Sequence, residues 1–136
     1  MIDSREVEFS DLLARARAAL ANAYAPYSDF QVAAAVRDET GRTHVGVNVE
    51  NVSYGLSVCA ERAAIFSAIA AGARRIEAVA VVSRRLRPIA PCGACRQVIR
   101  EFAAEDAPIV SEAEDGGSVV TTAGALLPGA FLSLEP

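Results

Sequence analysis

Cys59-Ala60-Glu61-Arg62 and Pro91-Cys92-Gly93-Ala94-Cys95 hold all three cysteines of this chain, with a carboxylate two residues after the first. Three thiolates suit a tetrahedral Zn²⁺, and the lack of a fourth protein ligand leaves room for water. Such openness marks a catalytic zinc, because a structural site closes all four positions with protein. A carboxylate at Glu61 is placed to take up and pass on the protons that an activated water loses. The expectation is one Zn²⁺ per chain on Cys59, Cys92 and Cys95, with Glu61 as the catalytic proton carrier.

The elements that must position these groups can be read from periodicity. Apolar residues at helical spacing (Leu12, Leu13, Ala16, Ala19, Leu20, Ala23) predict a helix over 10–24, with Ser10 as N-cap and Pro26 as its stop. Residues 30–37 read as a strand, Asp38-Glu39-Thr40-Gly41 as a turn, and 42–50 as a second strand. In that second strand Asn48 and Glu50 share a face by alternation. A helix follows from Cys59 to Ala71, ended by Gly72, and then a β-branched run, 76–82, that suits a strand buried on both sides.

Pro91-Cys92 opens a third helix to about Ala104, since proline suits a first helical turn. Short strands near 108–111 and 118–121 and a brief helix at 123–127 complete the chain. The order predicts one α/β domain over residues 1–136, with helices packed on a mixed sheet of about five strands. Both cysteine motifs then fall at helix N-termini, where unpaired N–H groups favour the thiolate. Arg62 is placed to offset the excess negative charge of three thiolates by hydrogen-bonding a ligand sulfur.

Other readings of the same residues stand beside these. Cys-x-x-Cys ahead of a helix also serves as a redox pair, but no opening βαβ unit precedes it and Cys59-x-Glu61 is then unexplained. A closed structural zinc needs a fourth ligand, for which His44 is the sole histidine. Glu61 alone suits the first turn of any helix. Asn48 and Glu50 are equally read as solvated strand residues, and Phe131 as core or as a subunit contact.

The totals narrow the classes. A chain of 136 residues, 52% hydrophobic, can bury a core. A net charge of −4 disfavours a general nucleic-acid binder, which needs a basic surface. No apolar run reaches the ~20 residues of a membrane span, and the acidic, polar start is unlike a signal peptide. An odd number of cysteines argues against a disulfide framework, so reduced thiols in a cytoplasmic setting are expected.

Taken together, the motifs resemble the small zinc-dependent cytidine deaminases of homotetrameric type. The likeness runs from about residue 10 to 132 through Ala25-Pro26-Tyr27-Ser28-Asp29-Phe30, Gly46 to Leu56, both cysteine motifs with Arg96-Gln97, and Leu126-Leu127-Pro128-Gly129-Ala130-Phe131. It implies a layered α/β/α fold and hydrolytic deamination of cytidine and deoxycytidine, with ammonia released, in pyrimidine salvage. It implies that Phe30 walls the pyrimidine pocket, that Asn48 and Glu50 bond the ribose, and that backbone groups at Ala60 and Cys92 read the base. It further implies a homotetramer with shared sites, in which Phe131 stacks on the base in a neighbouring subunit.

Two features depart from the family pattern: Ala33 where glycine is common, and the loop of Arg84, Arg85 and Arg87, which could attract phosphate if it overhangs the pocket. Three rivals remain. A blasticidin-S-type or other nucleoside-analogue deaminase is disfavoured by the run Asn48 to Tyr54. A polynucleotide deaminase is disfavoured by the negative charge and by Glu50, which repels a nearby phosphate. A non-catalytic zinc module is the rival of a different class.

Overall fold

The computed structural model describes residues 4–134; the extreme ends of the expected 1–136 domain lie outside the described residues. Five strands form a middle layer: β1 Val32–Asp38, β2 Thr43–Val47, β3 Ile76–Ser83, β4 Pro108–Glu112 and β5 Ser118–Thr122. They are ordered β2-β1-β3-β4-β5. Only β3 and β4 run parallel, joined by a helical crossover; the other pairs are antiparallel. Helix α1 Ser4–Ala19 covers one face, while α2 Ala60–Ala70, α3 Gly93–Phe102 and α4 Ala123–Leu126 cover the other. The expected mixed five-stranded α/β/α arrangement is the one observed.

Alternation divides the two central strands between two cores. Val32, Ala34 and Val36 of β1 join Ile76, Val79 and Val81 of β3 beneath α2 and α3. Ala33, Ala35, Ala78 and Ala80 face the other way, against Phe9, Leu12, Leu13 and Ala16 of α1. The layer under α1 is thus largely alanine, and extra methylenes in so tight a contact cost ~1–3 kcal/mol. The departure at Ala33 lies in this layer and is fully buried.

Helix α1 departs from its predicted span in a way its packing explains. Phe9 is already part of its buried stripe and the helix starts at Ser4, so Ser10 lies within the helix and is no cap. At the other end the chain tightens into a 3₁₀ turn, Leu20–Asn22, and becomes extended at Ala23, ahead of Pro26. Pro91 is likewise displaced from its expected place: Cys92 is the N-cap of α3, so the proline precedes the helix.

Two contacts fix the position of α2. A Cβ at Gly46 would stand 2.3 Å from the Ala64 nitrogen and 2.6 Å from the Ala60 oxygen. Only glycine lets β2 approach the helix backbone so closely, and the approach seats the Cys59 end of α2 beside the sheet. At the far end of β2 the turn is organised by Asp38, which is buried and accepts from Thr40 N, Thr40 Oγ1 and Arg42 N at 2.8, 2.6 and 3.1 Å. His44 Nε2 lies 2.8 Å from the same carboxylate. The Thr40 hydroxyl bond, followed by the His44 bond, holds the Asp38 carboxyl well below its ordinary range.

Candidate active site

Cys59 and Cys92 are the N-caps of α2 and α3, both extended, and Cys95 lies in the first turn of α3. The Sγ atoms of Cys59 and Cys92 are 3.8 Å apart, and all three sulfurs lie within 4.8 Å of one another. Ligands ~2.3 Å from a tetrahedral zinc are separated by about 3.8 Å, so Cys59 and Cys92 stand at that spacing and the third sulfur is near enough to join them. His44 is not in this group; its partner is Asp38, which removes the candidate fourth ligand of a closed site.

The electrostatics of the cluster point the same way. A hydrogen bond from Cys95, aided by Arg62, pulls the Cys59 thiol down to about 5. The same Cys59 bond, with burial, pushes the Cys95 thiol up. One thiolate forms readily and opposes the next, an opposition that a bound cation would relieve. Arg62 Nη2 donates to Cys59 Sγ at 3.4 Å, while its Nε is buried with no partner among the described residues.

Glu61, in the first turn of α2, is only 4% exposed. Burial pushes its carboxyl above the ordinary value, the direction needed by a group that must both take and give a proton near neutral pH. The cysteine cluster and Glu61 open onto a cavity of about 230 Å³. Phe30, Val32, Ala60, Ile89 and Ala90 line it with apolar surface, and Ser28, Asn48 and Glu50 supply its polar side.

That polar side is built from chain that is not regular strand. β2 stops at Val47, because the Asn48 side chain takes over the ladder's work: its Nδ2 donates to Phe30 O at 2.7 Å and its Oδ1 accepts from Val32 N at 2.9 Å. Glu50 N donates to Tyr24 O at 2.9 Å, and the Glu50 Oε1 accepts from Tyr27 N and Ser28 N at 3.0 and 3.1 Å. Ser28 Oγ donates to the other carboxylate oxygen, and this bond leads the causes that hold the Glu50 carboxyl below its ordinary value. Tyr27 packs edge-on against Tyr54, ring centroids 6.0 Å apart, and Tyr24, Tyr27 and Tyr54 are all exposed at this rim.

Residues 8–111 match the model of the "Cytidine and deoxycytidylate deaminase zinc-binding region". The chain belongs to the cytidine deaminase family. It is 43% identical over 125 residues to the cytidine deaminase of Sporosarcina psychrophila, covering 92% of each chain. The crystal structure of the Burkholderia pseudomallei cytidine deaminase superposes with a TM-score of 0.84 at 51% identity, over 90% of this chain and 98% of that one. Likeness to the blasticidin-S deaminase of Bacillus cereus is lower, 31% over 105 residues, with 71% of this chain covered. Zinc is the metal of the matched family region, and the three-cysteine group is where this member can hold it.

Set against the deaminase expectations, the structure brings Phe30, Asn48, Glu50, Cys59, Ala60, Glu61 and Cys92 to one cavity. Cys95 joins them through the sulfur triangle, and Arg62 through its bond to Cys59. Phe131 is not among them within its own chain. It is 65% exposed, so the reading as core of its own subunit does not hold, and its carbonyl accepts from Gln97 Nε2 at 2.8 Å. Ser28, Val32, Ile89 and Ala90 line the cavity beyond the expected residues. Ser28 lies within the Ala25 to Phe30 motif and Val32 within the predicted strand 30–37; nothing in the pattern marks the other two.

The arginine loop does not line this cavity. Arg84, Arg85 and Arg87 border a separate concavity with Glu114. Arg85 pairs with Asp29 at 3.1 Å and Arg87 with Glu112 at 3.4 Å, so acids already answer two of the three charges.

Proposed function

We propose that this chain is a zinc-dependent hydrolase that converts cytidine and deoxycytidine to uridine and deoxyuridine with release of ammonia, in pyrimidine salvage. One observation carries the reading: a buried carboxylate, Glu61, sits beside a zinc-sized triangle of sulfurs at one end of a cavity whose other end offers Glu50 and Asn48. Zinc, when bound by Cys59, Cys92 and Cys95, supplies the Lewis acidity that makes water nucleophilic at neutral pH. Glu61 takes the proton released by the attacking water and delivers it to N3 of cytosine as C4 becomes tetrahedral. The same carboxylate, ionised again, takes the proton of the new C4 hydroxyl and hands it to the amino group; the C4–N bond breaks, ammonia leaves and the C4 carbonyl of uridine forms. Helix-start backbone at Ala60 and Cys92 reads the base, and Phe30 walls it. Arg62 restrains Cys59 and offsets its charge.

A cavity of 230 Å³ suits one small metabolite better than a polymer. Glu50, held ionised among backbone N–H groups, favours a sugar hydroxyl and opposes a phosphate in its place. Phe131, exposed on its own subunit, completes the site of a neighbour in a homotetramer with shared active sites. Among the described residues no helix is long and apolar enough to cross a membrane. Three free cysteines that act as thiolate ligands suit a reducing, cytoplasmic setting, in which the chain acts as a single deaminase domain.

The test is an ultraviolet and ammonia-release assay of the zinc-loaded protein with cytidine, deoxycytidine, cytidine monophosphate and blasticidin S. Turnover of the two nucleosides well above the others is expected. Preference for blasticidin S would move the assignment to the analogue deaminases, and zinc without any ammonia release would leave a binding module.

A further inference from the structure

From the geometry we infer that Ser28 is a positioning residue for sugar recognition, fixing which carboxylate lone pair Glu50 presents to the substrate. The inference rests on the nucleoside reading given above and adds to it the device that sets sugar selectivity.

A carboxylate has about four acceptor sites. Two on Glu50 Oε1 are taken by the N–H groups of Tyr27 and Ser28, and one on Oε2 by the Ser28 hydroxyl. One acceptor is left, on an oxygen that can no longer swing. The direction of the hydroxyl is itself determined. Ser28 Oγ accepts from Phe30 N at 3.0 Å and gives its single proton to Glu50. The backbone of Phe30, the Ser28 hydroxyl and the Glu50 carboxylate therefore form one chain of bonds around the cavity wall.

Without the hydroxyl, the carboxylate is held only through Oε1, by the N–H groups of Tyr27 and Ser28, and nothing grips it from the Oε2 side. The last torsion of glutamate is broad and swings both oxygens together, so bonds to one oxygen restrain it less than bonds to both. The remaining acceptor then points in a range of directions, and a donating sugar hydroxyl is bound less tightly. The chemistry at the sulfur cluster is untouched, because Ser28 contacts neither Glu61 nor a cysteine among the described hydrogen bonds.

The test compares wild type, Ser28→Ala and Ser28→Thr in steady-state kinetics with cytidine, 2′-deoxycytidine and 3′-deoxycytidine. Melting and zinc content are checked first. The wild type should discriminate most strongly against whichever analogue lacks the hydroxyl that Glu50 reads. Loss of one charge-assisted bond corresponds to about a tenfold rise in KM for cytidine with Ser28→Ala, kcat staying within about twofold. The discrimination between analogues should shrink, and Ser28→Thr, which keeps the hydroxyl, should restore both. On top of Glu50→Ala, Ser28→Ala should add little, since the two act as one unit. A folded, zinc-loaded Ser28→Ala enzyme with unchanged KM and unchanged discrimination overturns the role of Ser28 while leaving cytidine deamination standing. A wild type that releases no ammonia from any of the three nucleosides overturns the nucleoside reading and this inference with it.

Discussion

The two ends of the cavity are built on opposite principles. At the deep end, three sulfurs and the Glu61 carboxyl crowd together, and each ionisation makes the next harder. At the shallow end, Asn48 and Glu50 have already spent most of their bonding capacity on backbone of residues 27–32. The deep end gathers ionisable groups that oppose one another, whereas the shallow end is bonded before any ligand arrives, with one acceptor of Glu50 to spare. The difference teaches a division of labour. Reactivity is stored where groups are left in tension, and selectivity is held where they are tied down.

The severest way to break this comparison is Glu61→Gln. The amide keeps size and some hydrogen bonding but carries no proton. Loss of acid–base help costs ~10²–10⁴-fold, and a group used as base and then acid should fall at the upper end of that range in kcat. Zinc content and melting temperature should stay near wild type; near-normal turnover in the zinc-loaded variant would show that the deep end does not work through this carboxylate.

Glu50→Ala strikes the other end. A charge-assisted bond to a sugar hydroxyl is worth ~1.5–3 kcal/mol, so KM should rise by about ten- to a hundredfold with kcat little changed. An equal fall in kcat would mean that the shallow end shapes the chemical step as well. Phe131→Ala sharpens the picture from outside the chain. Stacking on a base is worth ~1–3 kcal/mol, to be seen as raised KM, while an exposed side chain should cost within about 0.5 kcal/mol of stability. A large drop in melting temperature with normal affinity would show that the residue serves folding and not a neighbour's site.

The mildest test lies at the far end of β2. The Asp38 carboxyl is depressed on folding, so it stabilises the fold at pH above its unfolded value of ~3.9, and the contribution fades as pH falls through the lower folded value. Asp38→Asn should therefore lower the urea midpoint at about pH 5, with the gap narrowing as pH falls below about 4. Activity at neutral pH should be nearly unchanged, as His44 and Asp38 lie outside the cavity. A gap that stays constant down to pH 2 would refute the electrostatic account of this turn.

The deep end was the more legible of the two in the sequence, for a physical reason. Metal ligation needs particular side chains at particular spacings, and Cys59-x-Glu61 and Cys92-x-x-Cys95 display both. The strands β3 and β4 were also readable, because burial on a sheet leaves apolar runs rich in β-branched residues, and β5, which is not buried, by its β-branched run Val119 to Thr122 after Gly116-Gly117. The shallow end depends on main-chain donors, which every residue carries and no pattern reveals. Alternation put Asn48 and Glu50 on one face, and they do share the cavity, but beyond the strand's end and through side-chain bonds that alternation cannot foresee. Ile89 and Ala90 arrive by a loop without period. Ser10 resembled a cap only because Phe9, which extends the buried stripe by a turn, stood just outside the chosen window.

The tyrosines at the rim give the molecule an optical property. The chain has no tryptophan and three tyrosines, and Tyr24, Tyr27 and Tyr54 all stand at the edge where Glu50 is held. Its intrinsic fluorescence therefore issues from that rim alone, while the sheet and the sulfur cluster are dark. A nucleoside entering the cavity, or a second subunit covering the rim, changes the emission without any label. By the same token, an unfolding curve followed by fluorescence records release of the rim, and comparison with circular dichroism tells whether the sheet is lost in the same step.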